Sequence, residues 1–343
     1  MRLTTGRPLT SGKPNSRYWT TQNWTKHLKN PDGWNTVNLP SVYGLFVVLS
    51  VSPLITRAAE APSEWQSDLY SDHVLVGQIW DTRHQAFVSQ TSLLDTLSSS
   101  HFLLLGEKHD NPDHHRLRLG LLEQLLAAEQ PALMVMEMLT ETQQPAINTL
   151  AEQQPLPASE QWQSLLTWDD GWTWAFYEPA LRVGLTNNAR IVAGNISSDT
   201  LMQVYRSDTV PDNAVVLNSD QLQRLTTDID VSHCGMLPAA QIPPMVRVQQ
   251  ARDQQMANAL MTAGDFSRRI LLAGNFHIRH DLSVPNYLPD DVEPLLSLAF
   301  LEVDPAFVQA ADYVTDAAGD LVYDFIWFTP AIRSDDYCAD LAR

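Results

Sequence analysis

The chain has 343 residues, 44% of them hydrophobic and 18% charged, with a formal net charge of −18. That length can bury a substantial core, in one large domain or two modest ones, and the composition is globular rather than disordered. So acidic a chain repels phosphate backbones, which excludes nucleic acid as a partner. Lys13, Lys26 and Lys29 lie near the N-terminus and Lys108 is the only lysine beyond them, so the rest is more acidic still. Acidic, lysine-poor surfaces suit high-salt surroundings, where screening relieves self-repulsion.

Residues 42–55 are apolar but short for a transmembrane helix, and Ala59-Glu60-Ala61 puts small residues at the two positions a signal peptidase reads. Residues 1–61 are therefore expected to be an N-terminal extension plus signal peptide, cleaved after Ala61, with 62–343 as a single exported domain. The alternative is an uncleaved N-terminal membrane anchor. No cysteine follows the apolar segment to accept a lipid. Cys234 and Cys338 are the only cysteines. In an oxidising compartment they either pair, tying the tail "SDDYCADLAR" to the domain, or stay as two buried thiols.

From about residue 64 short apolar runs alternate with helical stretches. "LLLGE" reads as a buried strand, and residues 112–128 as a helix with the stripe Leu117, Leu121, Leu122 and Leu125. "ALMVMEM" and "RIVAGN" are two more strands, residues 238–262 a long helix, and "RRILLAGNFH" another strand. "LLSLAFLEV" and "YDFIWFTPA" read as further strands, with an antiparallel edge position open to them. The pattern predicts an α/β fold with a mostly parallel, mixed sheet flanked by helices. Its functional crevice belongs beyond the carboxyl ends of the strands.

Four runs end there in glycine or polar groups: Gly106, Glu107 and His109; Glu137; Gly194 and Asn195; Gly274, Asn275 and His277. Gly-x-x-His occurs twice, as "GEKH" and "GNFH", the glycine allowing close approach and the histidine reaching over the sheet edge. Were the strands neighbours, Glu107, His109, Glu137 and His277 would form a first shell for Mn, Fe, Co or Zn, with Glu107 or Glu137 as a base. Each histidine alone is more simply a loop hydrogen-bonder, and Glu137 alone a helix cap.

Asn111-Pro112 reads as a helix start whose positive end would face the crevice and favour an anionic group. Of His114 and His115, at most one is expected to face the cleft, leaving the other solvated. Trp168, Trp172, Trp174, Phe176 and Tyr177, beside Asp169 and Asp170, are either core or the wall of a pocket for a flat apolar ligand. Tyrosine can ligate haem iron, and Tyr177 is available if it faces that pocket. Lys108, between two inward residues, is expected to face away. His233, Arg252, Asp253 and Arg279 are candidates for supporting bonds in the cleft.

Taken together, "LLGEKHDNPDHH", "DDGWTWAFYEPAL", "SHCGMLPAAQIPPMVRVQQARDQQMA", "LLAGNFHIRHDLSVPNYL" and "DFIWFTPA" resemble the ChaN-like haem-binding uptake family of the Tiki superfamily, over residues 76–340. The resemblance implies an α/β domain in a periplasmic protein tied to haem or iron uptake machinery, with haem held in a tyrosine-coordinated homodimer. Tyr177 and Tyr287 lie inside matching motifs, and either is the implied haem ligand. His109, His277 and Asn111 are further candidates for cofactor contact. From the wider superfamily comes the implication that Glu107, His109, Glu137 and His277 are the metal site of a Tiki-type protease. "HCG" and "DYC" also match, which favours a Cys234–Cys338 bridge. The readings are thus a haem-binding protein, a divalent-metal-dependent hydrolase, or an accessory envelope protein with a vestigial site.

Overall fold

Apolar runs without polar alternation demand cover on both faces. A computed structural model describes residues 64–127, 130–153, 155–207, 216–314 and 321–334. Residues 1–61, with the expected signal peptide, and Cys338 lie outside the described residues. The strands are β1 (Ile79–Asp81), β2 (Ala86–Val88), β3 (Phe102–Leu105), β4 (Ala132–Thr140), β5 (Arg190–Asn195), β6 (Arg268–Leu272), β7 (Leu295–Glu302) and β8 (Phe325–Thr329). They form one mixed sheet in the order β2-β1-β8-β7-β3-β6-β4-β5.

The helices are α1 (Gln90–Ser98), α2 (Pro112–Leu126), α3 (Gln144–Ala151), α4 (Ser159–Leu165), α5 (Trp174–Thr186), α6 (Ser198–Arg206), α7 (Ser219–Ser232) and α8 (Ile242–Leu260). Alternate strand residues feed opposite cores. Leu103, Leu105, Met134 and Met136 pack with α1, α2 and α5, whereas Leu104, Leu133 and Val135 pack with α7 and α8. The stripe Leu117, Leu121, Leu122 and Leu125 is buried as its spacing predicts.

Two expectations need correction. β7 and β8 are parallel to β3 and lie inside the sheet. The antiparallel edge is instead the β1–β2 hairpin, whose strands are too short to leave an alternating pattern. The long helix begins later than expected, because Pro243 and Pro244 fit only its first turn and a short 3-10 turn (Ala239–Gln241) precedes it. At the opposite edge, the Gln144 side chain donates to the Ile191 carbonyl (3.1 Å) and accepts from the Ala193 N–H (2.8 Å). That amide satisfies the edge of β5 as another strand would. Among the described residues no helix is long and apolar enough to cross a membrane.

Candidate functional site

β6 lies between β3 and β4, so the carboxyl ends of all three open on one place. Glu107 and His109 leave β3, Glu137 follows the last residue of β4 that pairs with β6, and His277 sits on a 3-10 turn (Asn275–Ile278) after β6. Gly274 makes the approach possible. A Cβ there would lie 2.8 Å from His109 Cε1 and 3.0 Å from its Nε2, with Glu137 Oε2 at 3.7 Å. The Gly274 N–H donates to that same Oε2 at 2.8 Å. The four residues read from the strand ends are therefore assembled in one cluster.

Within it they form two carboxylate–imidazole pairs. Glu107 Oε1 accepts from His109 Nδ1 (2.9 Å) and from the Tyr177 hydroxyl (2.7 Å). Its Oε2 meets the buried guanidinium of Arg118 and lies 3.3 Å from His115 Nδ1. His277 Nε2 is 3.2 Å from Glu137 Oε1, and its Nδ1 is 2.6 Å from Asp253 Oδ1. Gln249, one turn before Asp253 on α8, reaches the same Nδ1 at 3.1 Å. Both glutamates and His277 are buried, whereas the His109 side chain is 45% exposed and gives the cluster its contact with solvent. Trp172 stands edge-on to it, ring centroids 4.8 Å apart.

The two pairs differ electrostatically. Burial alone would raise the Glu107 carboxyl, but Arg118 and then His115 pull it down to about 2. Burial likewise opposes ionisation of Glu137, and His277 overcomes it, holding the carboxyl well below its ordinary value. Burial would lower His277, yet Glu137 and Asp253 raise it to about 10. His277 is thus an imidazolium at neutral pH. His109 is also raised, because its bond to Glu107 and the charge of Glu137 outweigh burial.

The remaining candidates divide sharply. Asn111 is buried and fully engaged: Oδ1 accepts from the Asp113 and His114 N–H groups, and Nδ2 donates to Glu302 and to the Pro330 carbonyl. Asp113 accepts from the Gln66 and Ser67 N–H groups. The start of α2 is sealed by the protein itself, not open to an anion. Neither His114 nor His115 is solvated. His114 accepts from the Lys108 N–H and bonds Thr329, while His115 stacks on Phe176 at 4.5 Å. Lys108 faces away, pairing with Glu302 at 2.8 Å. Tyr177 is buried with its hydroxyl on Glu107, and its ionisation is raised by burial and by that carboxylate.

Tyr287 is also buried, but its hydroxyl has no hydrogen-bond partner. Its ionisation is raised by burial and by Asp253. Arg279 pairs with Asp228 and Asp281, and His233 bonds the Ile229 carbonyl at the end of α7. Asn195 turns onto its neighbour's N–H. A cavity of about 590 Å³, lined by residues including Asn218, Arg224, His280 and Asp281, has none of the Glu–His residues in its wall. No described cysteine is a free thiol.

Arg118 and Gln249 were not foreseen. Arg118 had a signal: it lies three and four residues before Leu121 and Leu122, on the stripe that packs into the core. A cation there must meet a buried acid. Gln249 had none, since polar residues on a half-exposed helix are ordinary.

The donor set does not fit a metal ion as it stands. Glu107 is already paired with a guanidinium, and both ring nitrogens of His277 already face carboxylates, which favour its protonated form. A metal needs the neutral imidazole. Among the described residues no group of three or more His, Cys, Asp or Glu is disposed to hold one.

Residues 93–288 match the family model described as haem-binding uptake, Tiki superfamily, ChaN. The fold is similar to that of ChaN of Campylobacter jejuni, solved with cofacial heme binding, at 21% identity and a TM-score of 0.62, covering 73% of this chain and 95% of that one. More distant are an erythromycin esterase mutant in its open conformation (13% identity, TM-score 0.39, 66% of this chain and 76% of that one) and a MARTX toxin effector domain, RRSP, from Vibrio vulnificus (12%, 0.37, 73% and 41%). No curated protein matches the sequence.

Proposed function

The chain belongs to the ChaN family of haem-binding uptake proteins in the Tiki superfamily, and from that premise we propose that it binds haem in the cell envelope and takes part in haem or iron uptake. Haem, when bound, supplies an iron centre that a tyrosine oxygen can ligate. The observation that carries the ligand assignment is the hydroxyl of Tyr287, buried without a partner. A buried phenol oxygen without a hydrogen bond is costly unless a ligand completes it. The hydroxyl of Tyr177, by contrast, is held by Glu107. Tyr287 belongs to the apolar cluster on the α7–α8 side of the sheet, and α8 packs against the 3-10 turn (Val284–Tyr287) that carries it.

Haemin added to the purified protein at micromolar concentration should give a Soret band that Tyr287→Phe loses and Tyr177→Phe keeps. No band with the unaltered protein ends the haem reading. An unchanged titration for Tyr287→Phe ends the ligand assignment alone.

The apolar segment 42–55 and the small residues before Pro62 support export to the periplasm, and the scarcity of cysteine fits a single Cys234–Cys338 bridge there. The family resemblance supports dimerisation on haem and contact with uptake machinery. No observation favours the metal-dependent hydrolase as a second reading, because its donors are already committed to Arg118, Asp253 and one another.

A further inference from the structure

Ser297 interrupts the apolar run of β7 and is fully buried, so its hydroxyl must find partners inside the protein. It finds them in Asp324 and His280. The Ser297 N–H donates to Asp324 Oδ2 at 2.8 Å, and its Oγ accepts from the Asp324 N–H (3.1 Å) and lies 3.1 Å from His280 Nε2. His280 Nε2 is in turn 2.7 Å from Asp324 Oδ2. An ionised carboxylate only accepts, so Nε2 carries the proton and the neutral ring presents Nδ1 as an acceptor. Among the described residues nothing bonds that Nδ1. The ring lines the cavity of about 590 Å³ at the start of α7, together with Asn218, Asp220, Arg224, Asp281 and Leu321.

We propose that this cavity is a second binding site, taking a neutral polyhydroxylated ligand of the saccharide class. Its volume falls within the roughly 300–1,000 Å³ of small-molecule sites, but its wall is polar where theirs is mostly apolar. Both signs of charge are present. A small anion would meet the carboxylates of Asp220 and Asp281, and a small cation the guanidinium of Arg224. Asp281 is already held by the Arg279 fork, at 2.8 and 2.5 Å. An ion is thus opposed from one side or the other, whereas a hydroxyl donates and accepts at once. It donates to His280 Nδ1 or Asp220 and accepts from the amide of Asn218, whose Oδ1 is taken by the Asp220 and Gln221 N–H groups. Leu321, 40% exposed, gives the wall an apolar contact for the C–H face of a sugar ring. The site is separate from the haem-binding reading, since none of these residues belongs to the Glu–His cluster or to the turn that carries Tyr287.

The test titrates the full chain with glucose, N-acetylglucosamine and maltose, and with inorganic phosphate as the charged control, following heat and the ring signals of His280 by NMR. At least one sugar should bind with a Kd on the order of 1 mM and shift the His280 signals. Asp220→Ala, at an exposed position, should weaken it about 10-fold, the loss of one hydrogen bond to a charged group. Leu321→Trp fills the cavity from its exposed rim and should abolish binding, with the thermal midpoint and any haemin titration unchanged in both variants. No response to any of the three sugars overturns the proposal. Sugar binding that survives Leu321→Trp lies elsewhere and overturns it too. Phosphate binding tighter than any sugar, and lost in Leu321→Trp, would make the cavity an anion site and also overturn it.

Discussion

At the scale of single residues, the two Glu–His pairs are neutralised by different means. Glu107 faces the guanidinium of Arg118, whereas Glu137 faces the imidazole of His277, a side chain whose charge depends on pH. The folded-state pKa of His277, about 10, lies above its ordinary 6.5. Its contribution to stability is therefore complete below about pH 6.5 and is lost as pH rises through about 10. Urea unfolding across that window should show the unaltered protein weakening by on the order of a few kcal/mol more than His277→Gln. Parallel pH profiles would mean that the imidazolium contributes nothing. The acid limb is different in kind: the lowered pKa values of Glu107 and Glu137 place their losses at falling pH, below the ordinary carboxylate range.

At the scale of elements, α2 ties the sheet ends together through one amide. Asn111 caps the helix and also holds Glu302 at the end of β7 and Pro330 just past β8. Asn111→Ala should cost on the order of 3 kcal/mol in chemical denaturation, more than the roughly 1 kcal/mol of an exposed cap, because Glu302 loses a buried donor. Asn111→Asp separates the two roles. An aspartate caps as well as asparagine but sets a second carboxylate against Glu302, so near-wild-type stability for it would reduce Asn111 to a simple cap. The cap itself was legible, since Asn-Pro before an apolar stripe has a local cause. The β3, β4, β5 and β6 ends were legible for the same reason: glycine and acid interrupt apolar runs where the chain leaves the sheet. The directions of β7 and β8 were not, because an apolar run carries no record of its neighbour. Nor were the partners that Arg118 and Asp253 find, which depend on helices from opposite faces meeting one sheet edge.

At the scale of the whole molecule, the buried charges are paired while the surface carries the excess. Arg118–Glu107 and His277–Glu137 sit out of water, where salt screens them little. The net charge of −18, with Lys108 as the lone lysine after residue 29, leaves exposed carboxylates repelling one another across the folded surface. Unfolding moves those charges apart, so the repulsion acts against the native state. Added salt shortens the screening length from about 30 Å at 0.01 M to about 8 Å at 0.15 M and about 3 Å at 1 M. The thermal midpoint should therefore rise with sodium chloride, steeply at first and then levelling, as the range falls below the spacing of surface charges. An uncharged osmolyte at matched osmolality supplies the control, because it strengthens burial without screening. A midpoint that is flat or falls in salt, or that rises equally with the osmolyte, would show that self-repulsion is not what limits this fold. A rise specific to salt would explain how so acidic a chain keeps its sheet edge assembled with so few cations: Arg118 and Arg279 pair with acids in the interior, and solvent ions screen the surface.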